Sequence, residues 1–139
     1  MNTTQELRQA VEEALVTVPK AERADAVKKS CARTFQALRI ELNHELDVLR
    51  DSLDGMIDFL NDGGRICIIT FHSLEDRIVK QVFQRMERPC TCPPSAPVCI
   101  CGKKPTAKIL TRKPLTASQE ELQENSRAKS AKLRAMEKI

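Results

Sequence analysis

The chain has 139 residues, enough for one modest core, and its 41% hydrophobic content lies near the lower edge of ordinary globular composition. With no Trp or Tyr and only Phe35, Phe59, Phe71 and Phe83, it offers few platforms for stacking splayed nucleic-acid bases. No apolar run approaches a membrane span and no charged-then-apolar leader opens the sequence, so the expected compartment is the cytoplasm, with no membrane partner.

Thr3 and Glu6 form a capping-box pattern, and Leu7, Ala10, Val11, Ala14, Leu15 and Val18 fall on one helical stripe that Pro19 stops. Residues 20 to 32 read as a charged connector with at most a short helical turn. From Thr34 the apolar positions Phe35, Leu38, Leu42, Leu46, Leu49, Leu53, Met56 and Leu60 advance by three or four. That spacing predicts helix over 34–61, with a break near Ser52 to Gly55. Arg33, Gln36, Arg39 and Asn43 share one polar face of it. Such a face is either ordinary solvated helix surface or an RNA contact, since amide side chains can read base edges.

Asn61-Asp62-Gly63-Gly64 turns the chain into a short apolar run, Ile66-Cys67-Ile68-Ile69, as expected of a parallel strand covered on both faces, with Cys67 a core residue. The strand, placed at 65–71, delivers Phe71, His72 and Ser73 to the start of a helix with the apolar stripe Leu74, Ile78, Val82 and Met86. Ser73 is the expected N-cap, and Glu75 and Asp76 complement the positive helix end. In open α/β sheets ligands bind at the carboxyl ends of strands, so this junction is the candidate site. His72 there could position a base or phosphate or handle a proton. Equally, it could cap the helix and only hold the loop. Asp76 and Arg77 are placed to pair with each other, although Arg77 also suits a phosphate.

Cys90-Thr91-Cys92 and Cys99-Ile100-Cys101 flank a proline-rich stretch inside a Cys-rich loop at 88–105. Four thiolates suit a tetrahedral zinc, yet residues one apart in an extended segment point to opposite sides, which weighs against it. Disulfides and a ligand-free loop are the alternatives. Beyond the loop, residues 108–113 and 129–137 are candidate edge strands, the second written in helix-favouring residues. Charge is segregated: residues 41–62 carry seven acids against Arg50 alone, whereas residues 101–139 carry ten bases against four acids. The basic end, including Lys103, Lys104, Lys129 and Lys132, is the expected polyanion-facing one.

Four blocks carry a family resemblance: Arg33-Thr34-Phe35-Gln36-Ala37-Leu38-Arg39-Ile40, the run from Thr70 to Lys80, Thr111-Arg112-Lys113-Pro114-Leu115, and the run from Glu124 to Arg134. In order and spacing, from about Thr4 to Lys138, they resemble the ribosomal RNA small-subunit methyltransferase H family. The resemblance implies S-adenosylmethionine-dependent methylation of cytidine N4 in small-subunit ribosomal RNA, with the assembling small subunit as partner. It also implies an α/β fold, the C-terminal part of a class I (Rossmann-like) methyltransferase sheet preceded by part of an inserted helical domain. Residues 1–50 would belong to the insert and 51–139 to the methyltransferase domain. The family's glycine-rich donor loop has no counterpart here, because Gly63-Gly64 precedes a strand instead of following one. Met1 is therefore expected to fall inside the family's length, by truncation, by an incomplete gene model, or by gene splitting with a separate N-terminal half as partner. The alternative is a non-catalytic RNA- or ribosome-binding module.

Overall fold

The computed structural model describes residues 3–93 and 98–139. Its elements are α1 (Thr4–Ala14), α2 (Lys20–Asn43), α3 (Glu45–Asp58), β1 (Arg65–Thr70), α4 (Ser73–Glu87), β2 (Ala107–Ile109), α5 (Gln119–Glu124), a 3-10 turn (Ser126–Ser130) and β3 (Lys132–Lys138). The chain forms two compact units, one ending at Glu45 and the other beginning at Leu46.

In the first unit, the Thr3 hydroxyl accepts the Glu6 N–H at 3.2 Å and starts α1 as its sequence predicts. The charged stretch after Pro19 is not a connector. It is the first half of α2, a helix of 24 residues. Ala21, Ala24, Ala26 and Ala32 among Lys, Arg and Glu are strong helix formers, and Val27 is buried. The Arg23 guanidinium donates to the carbonyls of Val16 and Val18, satisfying acceptors that the turn between α1 and α2 leaves free. α2 ends at His44, a left-handed residue at φ 51°. The break expected near Ser52 to Gly55 is absent, and Gly55 sits inside α3.

The second unit holds the core. Leu53 and Ile57 of α3 and Ile78, Val79, Val82 and Phe83 of α4 pack with Ala107 of β2 and Met136 of β3. Its sheet is three-stranded and antiparallel throughout, in the order β1-β3-β2. The segment read as a helix-or-strand ambiguity is thus the central strand. β1, expected to be central and parallel, lies at an edge of the described sheet. Ile66 and Ile68 pack on the core while Cys67 is exposed and Ile69 is 56% exposed, so Cys67 is not a core residue here. The alternation follows from one helical layer covering one face. β2, expected at 108–113, is only three residues long, and residues 129 and 130 belong to the 3-10 turn rather than to β3.

Two contacts close this unit. Lys138 Nζ donates to the carbonyls of Ile57 and Asp58 at 3.3 and 3.1 Å, placing a cation on the acceptor-rich end of α3. Arg65 pairs with Glu137 across the β1–β3 ladder at 2.7 Å. The double glycine makes the entry to β1. Gly63 has φ 77° and donates to the Lys138 carbonyl, whereas a Cβ on Gly64 would lie 2.7 Å from the Asn61 carbonyl oxygen.

Gly64→Ala should therefore lower the urea-unfolding free energy by about 1–3 kcal/mol, as backbone must shift to admit the methyl. Gly55→Ala should do the reverse, raising it by up to about 1 kcal/mol, because Gly55 is an exposed helix position with open space at its Cβ.

Candidate functional site

The β1–α4 junction is built around His72. Its backbone is extended (φ −142°, ψ 163°), and its Nδ1 accepts the Glu75 N–H at 3.4 Å. Glu75 Oε2 in turn accepts the Phe71 and His72 N–H groups at 2.9 and 3.2 Å. This is a capping box with histidine in the cap position, so the expected Ser73 cap is corrected: Ser73 is the first helical residue and is exposed. The Glu75 carboxylate, reaching back to two N–H groups, fixes the cap one residue earlier than the hydroxyl would.

The cap also fixes the tautomer. With Nδ1 accepting from backbone, the neutral ring carries its proton on Nε2. The side chain is 14% exposed, and Nε2 lies 3.1 Å from Glu75 Oε1 without the alignment of a hydrogen bond. A buried N–H donor without a hydrogen-bond partner therefore stands at the carboxyl end of β1, beside the half-exposed Phe71. The only ring lone pair is already engaged, so the junction offers a donor and not a proton acceptor.

Below the first turn of α4, Asp76 is buried against β3. Arg134 meets it with two hydrogen bonds, Nε to Oδ1 at 2.6 Å and Nη2 to Oδ2 at 3.2 Å. Lys132 Nζ lies 3.6 Å from Oδ2. The Arg134 hydrogen bonds hold the Asp76 carboxyl below the usual carboxylate range despite the burial that would raise it, and the charges of Arg134 and Lys132 act in the same direction. The expected Asp76–Arg77 pairing is thus replaced, and Arg77 points to solvent on α4. Sequence reading missed Arg134, although the signal was present: Lys132, Arg134 and Met136 share one strand face, and two cations beside a buried Met need an acid.

The other candidates scatter. In the first unit Arg33 is exposed and Gln36 half-buried, while Arg39 (2.8 Å) and Asn43 (3.2 Å) both converge on Glu45 at the α2–α3 turn. In the second, Lys103, Lys104 and Lys129 are exposed, and Lys132 is drawn to Asp76 instead of standing free. On the sheet face away from α4, a shallow cleft of about 200 Å³ is lined by Ile69, Leu115, Ala131 and Leu133.

The four cysteines of the 88–105 loop do come together, against the expectation that each C-x-C pair would diverge. Their Sγ atoms all lie within 4.8 Å of one another, and all six cysteines of the chain are free thiols. The alternation argument fails because the segment is not an extended strand. Backbone N–H groups of Lys103 and Thr91 lower the Cys101 thiol to about 6, and Cys99, hydrogen-bonded to Cys101, is raised to about 11. The proline-rich stretch between the pairs, 94–97, lies outside the described residues.

Residues 1–139 match a sequence model of the MraW methylase family. The chain is 62% identical to "Ribosomal RNA small subunit methyltransferase H 2" of Agathobacter rectalis, covering 99% of this chain and 43% of that protein. It is 55% identical to "Ribosomal RNA small subunit methyltransferase H" of Finegoldia magna over its whole length, 44% of the relative. The protein of the same name in Carboxydothermus hydrogenoformans is 53% identical over 92% of this chain and 40% of its own length. The chain thus spans under half the length of these relatives. No helix of the described residues is long and apolar enough to cross a membrane.

Asp76→Asn should cost about 3–5 kcal/mol in urea unfolding, because Arg134 is left buried without its countercharge. The sign of the pH dependence follows from the lowered carboxyl. The stabilisation is complete above the unfolded aspartate value of about 3.9 and is lost as pH falls through the lower folded value. Urea midpoints followed downward from pH 6 should fall more steeply for the wild type than for Asp76→Asn.

Proposed function

Because the chain belongs to the MraW methylase family, we propose that it forms part of an S-adenosylmethionine-dependent enzyme that methylates N4 of a cytidine in small-subunit ribosomal RNA. The observation that carries this reading is the match along the whole chain, at 50–62% identity, to proteins named as small-subunit ribosomal RNA methyltransferases. Such an enzyme would act in the cytoplasm, on the RNA or the assembling small subunit.

Within that reading the helices of the first unit belong to an inserted RNA-recognition domain, and the second unit is part of the Rossmann-like methyltransferase sheet. The methyl donor binds in the part of the relatives that this chain does not span, since Gly63-Gly64 turns into a strand and cannot cradle a ligand at a helix start. S-adenosylmethionine supplies an electrophilic methyl group to the exocyclic amine. His72 contributes its Nε2–H, donated to an acceptor atom of the target cytidine, and so acts by positioning and not by taking the amine proton. The exposed half of Phe71 offers an apolar face beside it. The exposed Ile69, Leu115 and Phe59 belong to the surface that the remainder of the enzyme covers.

The test joins this chain to the N-terminal portion of the Finegoldia magna relative and measures single-turnover methylation of small-subunit RNA, with the product nucleoside identified by mass spectrometry. His72→Asn keeps a side-chain cap but moves the donor. Turnover should fall about a hundredfold with the urea midpoint little changed. Normal turnover in that variant would make His72 purely structural. A folded, RNA-binding chimera without methylation would favour a binding module.

Besides the exposed Arg77, the lysines Lys103, Lys104 and Lys129 are exposed basic candidates for phosphate contact in the second unit. Replacing all three with Ala in the same chimera should flatten the salt dependence of RNA binding by roughly 0.7–0.9 of a log unit per lost contact. Lys132→Ala should instead lower stability, because its ammonium serves Asp76.

A further inference from the structure

The described residues of the loop between α4 and β2 form no core of their own. Among its described residues, from Arg88 to Thr106, none is buried, and Val98 and Ile100 are 70% and 86% exposed. The same described residues include no helix or strand. Yet four thiols from its two ends meet. Sγ of Cys99 lies 3.5 Å from that of Cys90, 3.8 Å from Cys92 and 3.4 Å from Cys101, and Cys101 lies 3.8 Å from Cys90.

These separations discriminate between the chemistries open to four thiols. A disulfide brings two sulfurs to about 2.05 Å, far shorter than any of these contacts. A tetrahedral tetrathiolate with metal–sulfur bonds of about 2.3 Å has edges of about 3.8 Å, and these four separations span 3.4 to 3.8 Å with all four sulfurs within 4.8 Å of one another. Backbone supports the same arrangement. Gly102 takes φ 65°, a left-handed conformation that turns the chain directly after Cys101.

We propose that Cys90, Cys92, Cys99 and Cys101 bind one Zn²⁺ as a closed structural site that clamps this loop. All four positions are protein sulfur, so no vertex is left for water or substrate and the metal takes no part in a reaction. Each thiol releases its proton to solvent as its sulfur bonds the metal, and the bonds replace the apolar burial that the loop lacks. Soft thiolate ligands in tetrahedral array select Zn²⁺ over Mg²⁺, Ca²⁺ or Mn²⁺. The site is independent of the methylation reading and stands whether or not the chain takes part in catalysis.

The test uses the whole chain, purified under reducing conditions. Elemental analysis should give one zinc per chain, chelator competition an apparent Kd of about nanomolar or tighter, and cobalt substitution the intense visible bands of a tetrahedral thiolate complex. Cys92→Ser with Cys101→Ser should abolish the metal, whereas Cys31→Ser with Cys67→Ser should leave it at one equivalent. Wild-type protein that takes up no zinc while all six thiols react freely with a thiol reagent would overturn the site, whatever the variants do. So would full zinc retention in the Cys92/Cys101 variant.

Discussion

The bidentate pairing of Arg134 with Asp76 joins positions 58 residues apart and decides how the second unit is assembled. Asp76 lies in the first turn of α4, where a negative charge is favoured by the helix end, and Arg134 lies on the central strand beneath it. The pair also selects register. A slip of β3 by one residue against β1 would turn Lys132, Arg134 and Met136 to the face away from α4, emptying the core of Met136 and stranding a buried carboxylate. The planar guanidinium, with its paired donors, suits this role in a way that an ammonium does not. Once the helix is held over that strand, the short link Phe71-His72 can only turn sharply, and the His72–Glu75 cap follows.

The parts legible from sequence were those whose signal is local. The Thr3 cap, the stripe of α4 and the entry into β1 are each written in a few neighbouring residues. What was not legible depends on partners distant in sequence. Ala131, Lys132, Leu133, Arg134, Ala135 and Met136 favour helix, but the middle of a sheet supplies two ladders of hydrogen bonds that a lone propensity cannot outweigh. Residues 20–32 failed in the opposite direction: their charges hid strong helix formers because only Val27 is buried. Ser73 was the obvious cap by residue type, and only the reach of the Glu75 carboxylate places the cap at His72. The cysteines converge because their loop is irregular, so the alternation of a strand does not apply to them.

Charge in this chain does structural duty more often than its patterning suggests. Lys132 and Arg134 answer Asp76, Lys138 closes the end of α3, Arg65 bridges two strands, and Arg39 joins Asn43 on Glu45. The basic surplus after residue 101 is thereby divided into cations that hold the fold and exposed ones, such as Lys103, Lys104 and Lys129, that remain for a polyanion. Counting bases along a sequence overstates the electrostatic surface by the number that are spent inside.

The strand order has a consequence for synthesis on the ribosome. β3 follows β1 and β2 in sequence yet lies between them, and the two flanking strands form no ladder with each other. Among the described residues, a nascent chain that has emerged only to Ile109 carries β1 and β2 without the strand that joins them, and α4 without β3 beneath it. Such a strand edge is open to any extended segment nearby until β3 arrives. The order of elements thus leaves the joining of β1 to β2 to the late-emerging Lys132–Lys138.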